Sequence, residues 1–174
     1  MASKLSRSKE EQSHTQVYEY WQNARQGLQL VFQQPQKYQR FLGMTVTELE
    51  VIFERQQQEL DYQASLSLLA SIEAAFQLDF HHRVNQRLRD PLSRHFKDLK
   101  NTTPRISFEN HILYGWQQYA PVTKKLFQPL NKAIKYRHWL AHGRYWLHKS
   151  PIFNFAELYE LAELIQNSID FKKF

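Results

Sequence analysis

The sequence predicts an all-α, single-domain helical bundle of about five to six helices. Apolar residues recur at steps of three and four through long stretches, the mark of helices with one buried face. Chain breakers are scarce, with only 4 glycines and 6 prolines in 174 residues. A β-sandwich needs a turn about every ten residues, and these are too few to supply them. Capping residues stand where helices would begin.

Residues 1–13 are expected to form a flexible, basic and polar tail, ahead of one helical domain over residues 14–174. A first helix is expected from near Thr15 to Phe32, with Val17, Tyr20, Trp21, Leu28, Val31 and Phe32 as its apolar residues. Pro35 closes it, since proline cannot continue a helix interior. Thr45 or Thr47 caps a long second stretch, whose Glu48 and Glu50 suit the positive start of a helix. That stretch is expected to break once around residues 61–65 and to resume from Leu66 to Leu88. Asp90-Pro91 is a cap followed by a first-turn proline, opening a short helix that ends near Lys100. Residues 101–104 read as a loop. Ser107 opens another helix, ending before Pro121. A further helix is expected from Leu130 to about His142, stopped by Gly143. Asn154 and Glu157 form a capping-box-like start for the last helix, which carries Leu158, Leu161, Ala162 and Ile165.

Hydrophobic residues make up 42% of the chain and aromatics 14%, which excludes a mainly disordered protein. Cysteine is absent, so disulfides and thiolate zinc sites are excluded. No apolar run approaches the roughly 18 residues of a membrane span. The polar N-terminus has no apolar core of a signal peptide. A cytoplasmic location, with no membrane association, is therefore expected.

The net charge of +6 is unevenly spread. From Lys124 to Lys149 there are 7 Lys or Arg and no Asp or Glu, and His81 to Arg105 carries 7 basic residues against 2 acids. Glu48, Glu50, Glu54, Glu59 and Asp61, by contrast, face a lone Arg55. So lopsided a field attracts polyanions, of which nucleic acid is the usual one, although a merely solvated basic face reads alike.

Two charges interrupt apolar rows. On the Leu130–His142 helix the row Leu130, Ala133, Ile134, Ala141 contains Arg137. On the earlier helix the row Leu66, Leu69, Phe76, Phe80, Val84 contains Glu73. An isolated buried charge costs several kcal/mol, so two opposite charges in such positions suggest one another. Glu73 is expected to orient Arg137 through a charge-assisted hydrogen bond. The alternative is that both rows are wide and both side chains reach solvent at the rim. Arg83 is a second possible partner for Glu73.

His138 and His142 are one turn apart and share a helical face. That spacing suits two histidine ligands of one zinc ion, which would need a third ligand. It equally suits acid–base chemistry on RNA beside a phosphate-holding arginine. Tyr136, Trp139, Tyr145 and Trp146 are candidates to stack on unpaired bases, or to pack in the core or a dimer seam. Lys132, Lys135, Arg144, Tyr145 and Arg83 are the expected RNA-binding residues.

Arg137, four intervening residues and His142, near the end of a late helix, resemble the signature of the HEPN superfamily. His138 stands at its often polar position after the arginine, and Ala141 and Gly143 flank the histidine as in many members. Glu73, within Ser71-Ile72-Glu73-Ala74-Ala75-Phe76, is similar to the inward acidic residue on an earlier HEPN helix. The resemblance covers about residues 15–170 in helix order and far fewer positions in motif. Some HEPN toxins place a tyrosine two residues after the motif histidine, where a partner nucleotidyltransferase modifies it. Arg144 stands there in this chain and Tyr145 one position later, so the resemblance does not reach that feature.

The resemblance implies a HEPN-like bundle and a metal-independent endoribonuclease, commonly a toxin or an antiviral or stress effector. It implies a homodimer whose two motifs meet in one cleft, a possible cognate antitoxin protein, and no cofactor. His142 would be general base or acid at the ribose 2′-hydroxyl or the leaving 5′-oxygen. Arg137 would stabilise phosphorane charge, His138 would assist or position the RNA, and Glu73 would orient Arg137. A 2′,3′-cyclic phosphate is the implied product. The alternative is a non-catalytic HEPN-like module that binds RNA or a partner protein, or a helical bundle in which the motif is accidental.

Overall fold

The computed structural model describes residues 8, 10–86, 88–120, 124–147 and 152–172. Its helices are α1 (His14–Gln33), α2 (Val46–Asn85), α3 (Pro91–Thr102), α4 (Tyr114–Tyr119), α5 (Lys124–Ala141) and α6 (Phe155–Ser168). Two 3-10 turns, Pro35–Lys37 and Gln39–Phe41, join α1 to α2, and a π-helical turn, Phe108–Leu113, leads into α4. No strand occurs among the described residues. The bundle is all-α, as its sequence predicts. Of the expected 1–13 tail, residues 1–7 and 9 lie outside the described residues.

The capping residues act as their chemistry dictates. The Thr45 hydroxyl accepts the Glu48 N–H and the Glu48 side chain returns to Thr45 N–H, closing a capping box on α2. Asn154 and Glu157 do the same on α6. Asp90 caps α3, with Pro91 in its first turn. Ser13, rather than a residue nearer Thr15, caps α1 through a box with Gln16.

α2 runs unbroken for 40 residues, about 60 Å at 1.5 Å per residue. The break expected over residues 61–65 is absent, because tertiary contacts hold those turns. Ala64 and Ser65 are buried, and Asp61 accepts a 2.7 Å hydrogen bond from Trp21 Nε1 on α1. The second half of α2 is the axis of the core, packed by α3, α5 and α6. Leu68, Leu69, Ile72, Phe76 and Phe80 supply its buried face. No helix of the described residues is long and apolar enough to cross a membrane.

Other boundaries also differ from those expected. α3 takes in Asn101 and Thr102, which read as loop. α5 starts at Lys124 rather than Leu130 and tolerates Pro129 in its interior. Buried Leu126, Phe127 and Leu130 hold that turn, so packing offsets the one backbone bond that proline removes. Gly115 of α4 lies so close to α3 that a Cβ there would strike the Phe96 ring.

A buried charged node ties α2, α3 and the chain after α6 together. Arg83 donates through Nε to Asp79 Oδ2 at 2.7 Å, and through Nη1 to Asp90 at 3.1 Å and Ser93 Oγ at 3.2 Å. Its Nη2 reaches the Asp170 carbonyl at 3.4 Å, and its guanidinium lies 5.0 Å from the Trp116 ring centroid. Asp79 also accepts the Lys172 backbone N–H at 2.8 Å. Burial pushes the Asp79 carboxyl up, against the pull of Lys172 N–H and Arg83.

Candidate functional site

The last turns of α5 lie against α2. Leu130, Ala133, Ile134, Tyr136, Trp139 and Leu140 are buried, and this apolar face sets the rotation of the helix. Arg137 is thereby turned toward α2, where its Nη2 stands 3.0 Å from Glu73 Oε2. The two charges that interrupt the apolar rows meet. Both side chains stay partly exposed, at 29% and 24%, so this is a pair at the edge of the core rather than within it. Arg137 Nε is covered and has no hydrogen-bond partner. That N–H is out of a ligand's reach, while the rest of the guanidinium stays partly exposed.

α5 ends in a Schellman arrangement. Gly143, at φ +77°, donates its N–H to Leu140 O at 3.3 Å, and Arg144 N–H reaches Trp139 O at 3.1 Å. Arg144 is itself left-handed at φ +60°. Trp139 Nε1 then donates to the Trp146 carbonyl at 2.8 Å, fixing the following loop back on the helix. The His142 ring stands on this corner, exposed, 6.3 Å from the Trp146 ring.

His138 and His142 lie one turn apart, with Lys132 and Lys135 exposed on the same side of α5. At about 100° per residue the four span roughly 120° of the helix. Arg137 falls about 140° from His142 on the same count. One chain therefore offers two adjacent sides, a guanidinium toward α2 and an imidazole–lysine face toward solvent. It does not gather Arg137 and His142 at a single point.

Two acids join the site without any sequence-based expectation of a role there. Glu109, on the π-helical turn, brings Oε1 to 3.3 Å from His138 Nε2. Glu59 of α2 pairs with Arg144 at 2.8 Å, and this bond holds its carboxyl below the usual range. The Arg144 guanidinium also lies 4.7 Å from the Tyr62 ring centroid. The acid run of α2 facing the acid-free stretch of α5 was the available signal for Glu59. Nothing in helical periodicity marks Glu109, because a π turn shifts the register by one residue.

One expectation needs correction, and two readings left open are decided. Arg83 is neither a partner of Glu73 nor a surface RNA contact, since it is 4% exposed and held by Asp79 and Asp90. Tyr136 is fully buried, and burial pushes its phenol well above the ordinary value. Trp139 is buried too and packs edge-on to Tyr62. These two rings are core, not stacking platforms. Tyr145, at 83%, and Trp146, at 38%, do remain exposed. Among the described residues, no three His, Asp or Glu side chains are grouped to hold a metal ion. Lys149 and the side chains of Lys124 and Lys125, counted in the basic stretch, lie outside the described residues.

Compared with known proteins, the chain matches no family model, no curated protein and no solved structure.

Proposed function

We propose that this protein is a metal-independent endoribonuclease of HEPN type, acting in the cytoplasm as a toxin or an antiviral or stress effector. The observation that carries the reading is the Glu73–Arg137 pair on the same helix end as partly exposed His138 and exposed His142. An oriented, partly exposed guanidinium is suited to a phosphate oxygen. Exposed imidazoles can take and return a proton near neutral pH. In the reaction, His142 removes the ribose 2′-hydroxyl proton and the 2′-oxygen attacks the adjacent phosphorus. The bond to the 5′-oxygen breaks, that oxygen takes a proton, and a 2′,3′-cyclic phosphate remains. Arg137 stabilises the charge on the phosphorane, and Glu73 fixes Arg137. Lys132, Lys135, Arg144 and Tyr145 hold the RNA strand.

The angular separation of Arg137 and His142 on α5 favours a homodimer, in which Arg137 of one copy serves His142 of the other. Exposed Trp146 and Leu147 supply apolar surface for that contact. Mixing Arg137→Ala with His142→Ala tests the arrangement. After subunit exchange half the dimers are mixed, each with one intact site of two, so about a quarter of wild-type cleavage should return. A cognate antitoxin would cover the same face.

The second reading is a non-catalytic module that binds RNA or a protein. It is favoured by the acid on each basic side chain, since Glu73, Glu109 and Glu59 hold Arg137, His138 and Arg144. A labelled RNA strand and its DNA counterpart, incubated in excess EDTA, separate the two readings. The nuclease cuts only the RNA; the binding module retains RNA uncut.

A further inference from the structure

On the side of α2 away from Glu73, the N-terminus of α1, α2, α6 and the chain after α6 border a half-open cavity of about 390 Å³. Its apolar walls are built from Ile72, Ala74, Ala75 and Leu78 of α2, Ile165 of α6 and Phe171, and polar side chains from residues 11–14, Ser71, Gln166 and Lys172 form its rim. We propose that this cavity is a binding site for a small neutral molecule of one or two rings carrying a hydroxyl or amino donor.

Size, lining and charge each point that way. The volume falls in the range of ligand pockets, roughly 300–1,000 Å³. The basic groups at the rim are already committed, the His14 ring to Glu163 at 2.7 Å and Lys172 to Asp170. A charged ligand would be stripped of water without a counter-ion. Glu11 also lines the cavity and is engaged in a contact of its own, and the remaining polar groups, notably Ser71, Gln12 and Gln166, are uncharged. Ser71 gives its hydroxyl hydrogen to the Leu68 carbonyl at 2.8 Å, so its oxygen is free to accept a hydrogen bond from a ligand.

One wall is a strap, not a helix. Phe171 packs edge-on to Phe76 with ring centroids 4.9 Å apart, and stands 5.8 Å from Trp116. The strap is latched by Lys172 N–H on Asp79 and by Arg83 on the Asp170 carbonyl. The site is independent of the ribonuclease reading, because it lies on the opposite side of α2.

The test is a titration of the full chain with 2-naphthol, followed by methyl NMR. Saturable shifts are expected at Ile72, Leu78 and Ile165, with Leu147 unmoved. Ala75→Phe should abolish them by filling the cavity, and Ala74→Leu should weaken binding at least tenfold. If Ala75→Phe does not fold, Ala74→Leu decides. Shifts that never saturate, that centre on residues 145–147, or that persist at wild-type affinity in the folded variants would overturn the proposal.

Discussion

The Glu73 carboxylate lies 3.0 Å from Arg137 Nη2, joining the middle of α2 to the last turns of α5. Neither residue is near the other in sequence, and each interrupts an apolar row of its own helix. Their meeting supplies a positioned guanidinium at the edge of the core.

Glu73→Gln removes the charge and keeps the shape. For a partly exposed pair the stability cost should stay below about 1 kcal/mol. RNA cleavage should fall by about 10-fold to 100-fold, since a misplaced catalytic group costs that much. Parallel thermal melts and cleavage assays check both; wild-type cleavage by the folded variant would reduce Glu73 to a rim residue.

Arg83 behaves differently because it is buried. Arg83→Ala strands Asp79 without its counter-ion and should cost about 3–5 kcal/mol in urea denaturation. RNA affinity of any folded fraction should be unchanged, since Arg83 does not reach the surface.

Asp90 gives the same node a pH dependence. Burial acts to raise its carboxyl, but hydrogen bonds from the Ser93 hydroxyl and backbone N–H, with the Arg83 charge, lower it overall. A depressed folded value means that its stabilisation is present above the unfolded value, near 3.8, and lost as pH falls through the folded one. Asp90→Asn should therefore be less stable than wild type at pH 6, and the gap should narrow in acid below pH 3.8. A gap independent of pH would remove the carboxylate from the account.

Gly143 sits at φ +77° with open space around it. Gly143→Ala meets backbone strain, not a clash, and should cost about 1 kcal/mol in a thermal melt. Because this turn carries the His142 corner, cleavage should fall more than stability does.

Much of this was legible in the sequence, for physical reasons particular to each element. Thr45, Asp90 and Asn154 cap helices because side-chain oxygens that satisfy free N–H groups act locally. Glu73 and Arg137 were legible because a charge in an apolar row needs a partner. The continuity of α2 through Asp61 was hidden, since it depends on Trp21 from another helix. Arg83 read as surface because it belongs to a basic run, while its burial depends on Asp79, Asp90 and the Asp170 carbonyl. Glu109 reached His138 only through a π turn.

The most direct measurement is cleavage of a labelled RNA in excess EDTA by wild type and by His142→Ala, with melts confirming that both are folded. Wild type should release fragments ending in a 2′,3′-cyclic phosphate, and His142→Ala should be slower by about 100-fold or more. A folded His142→Ala that cuts at the wild-type rate, or a wild type that leaves the RNA whole, would contradict the ribonuclease assignment.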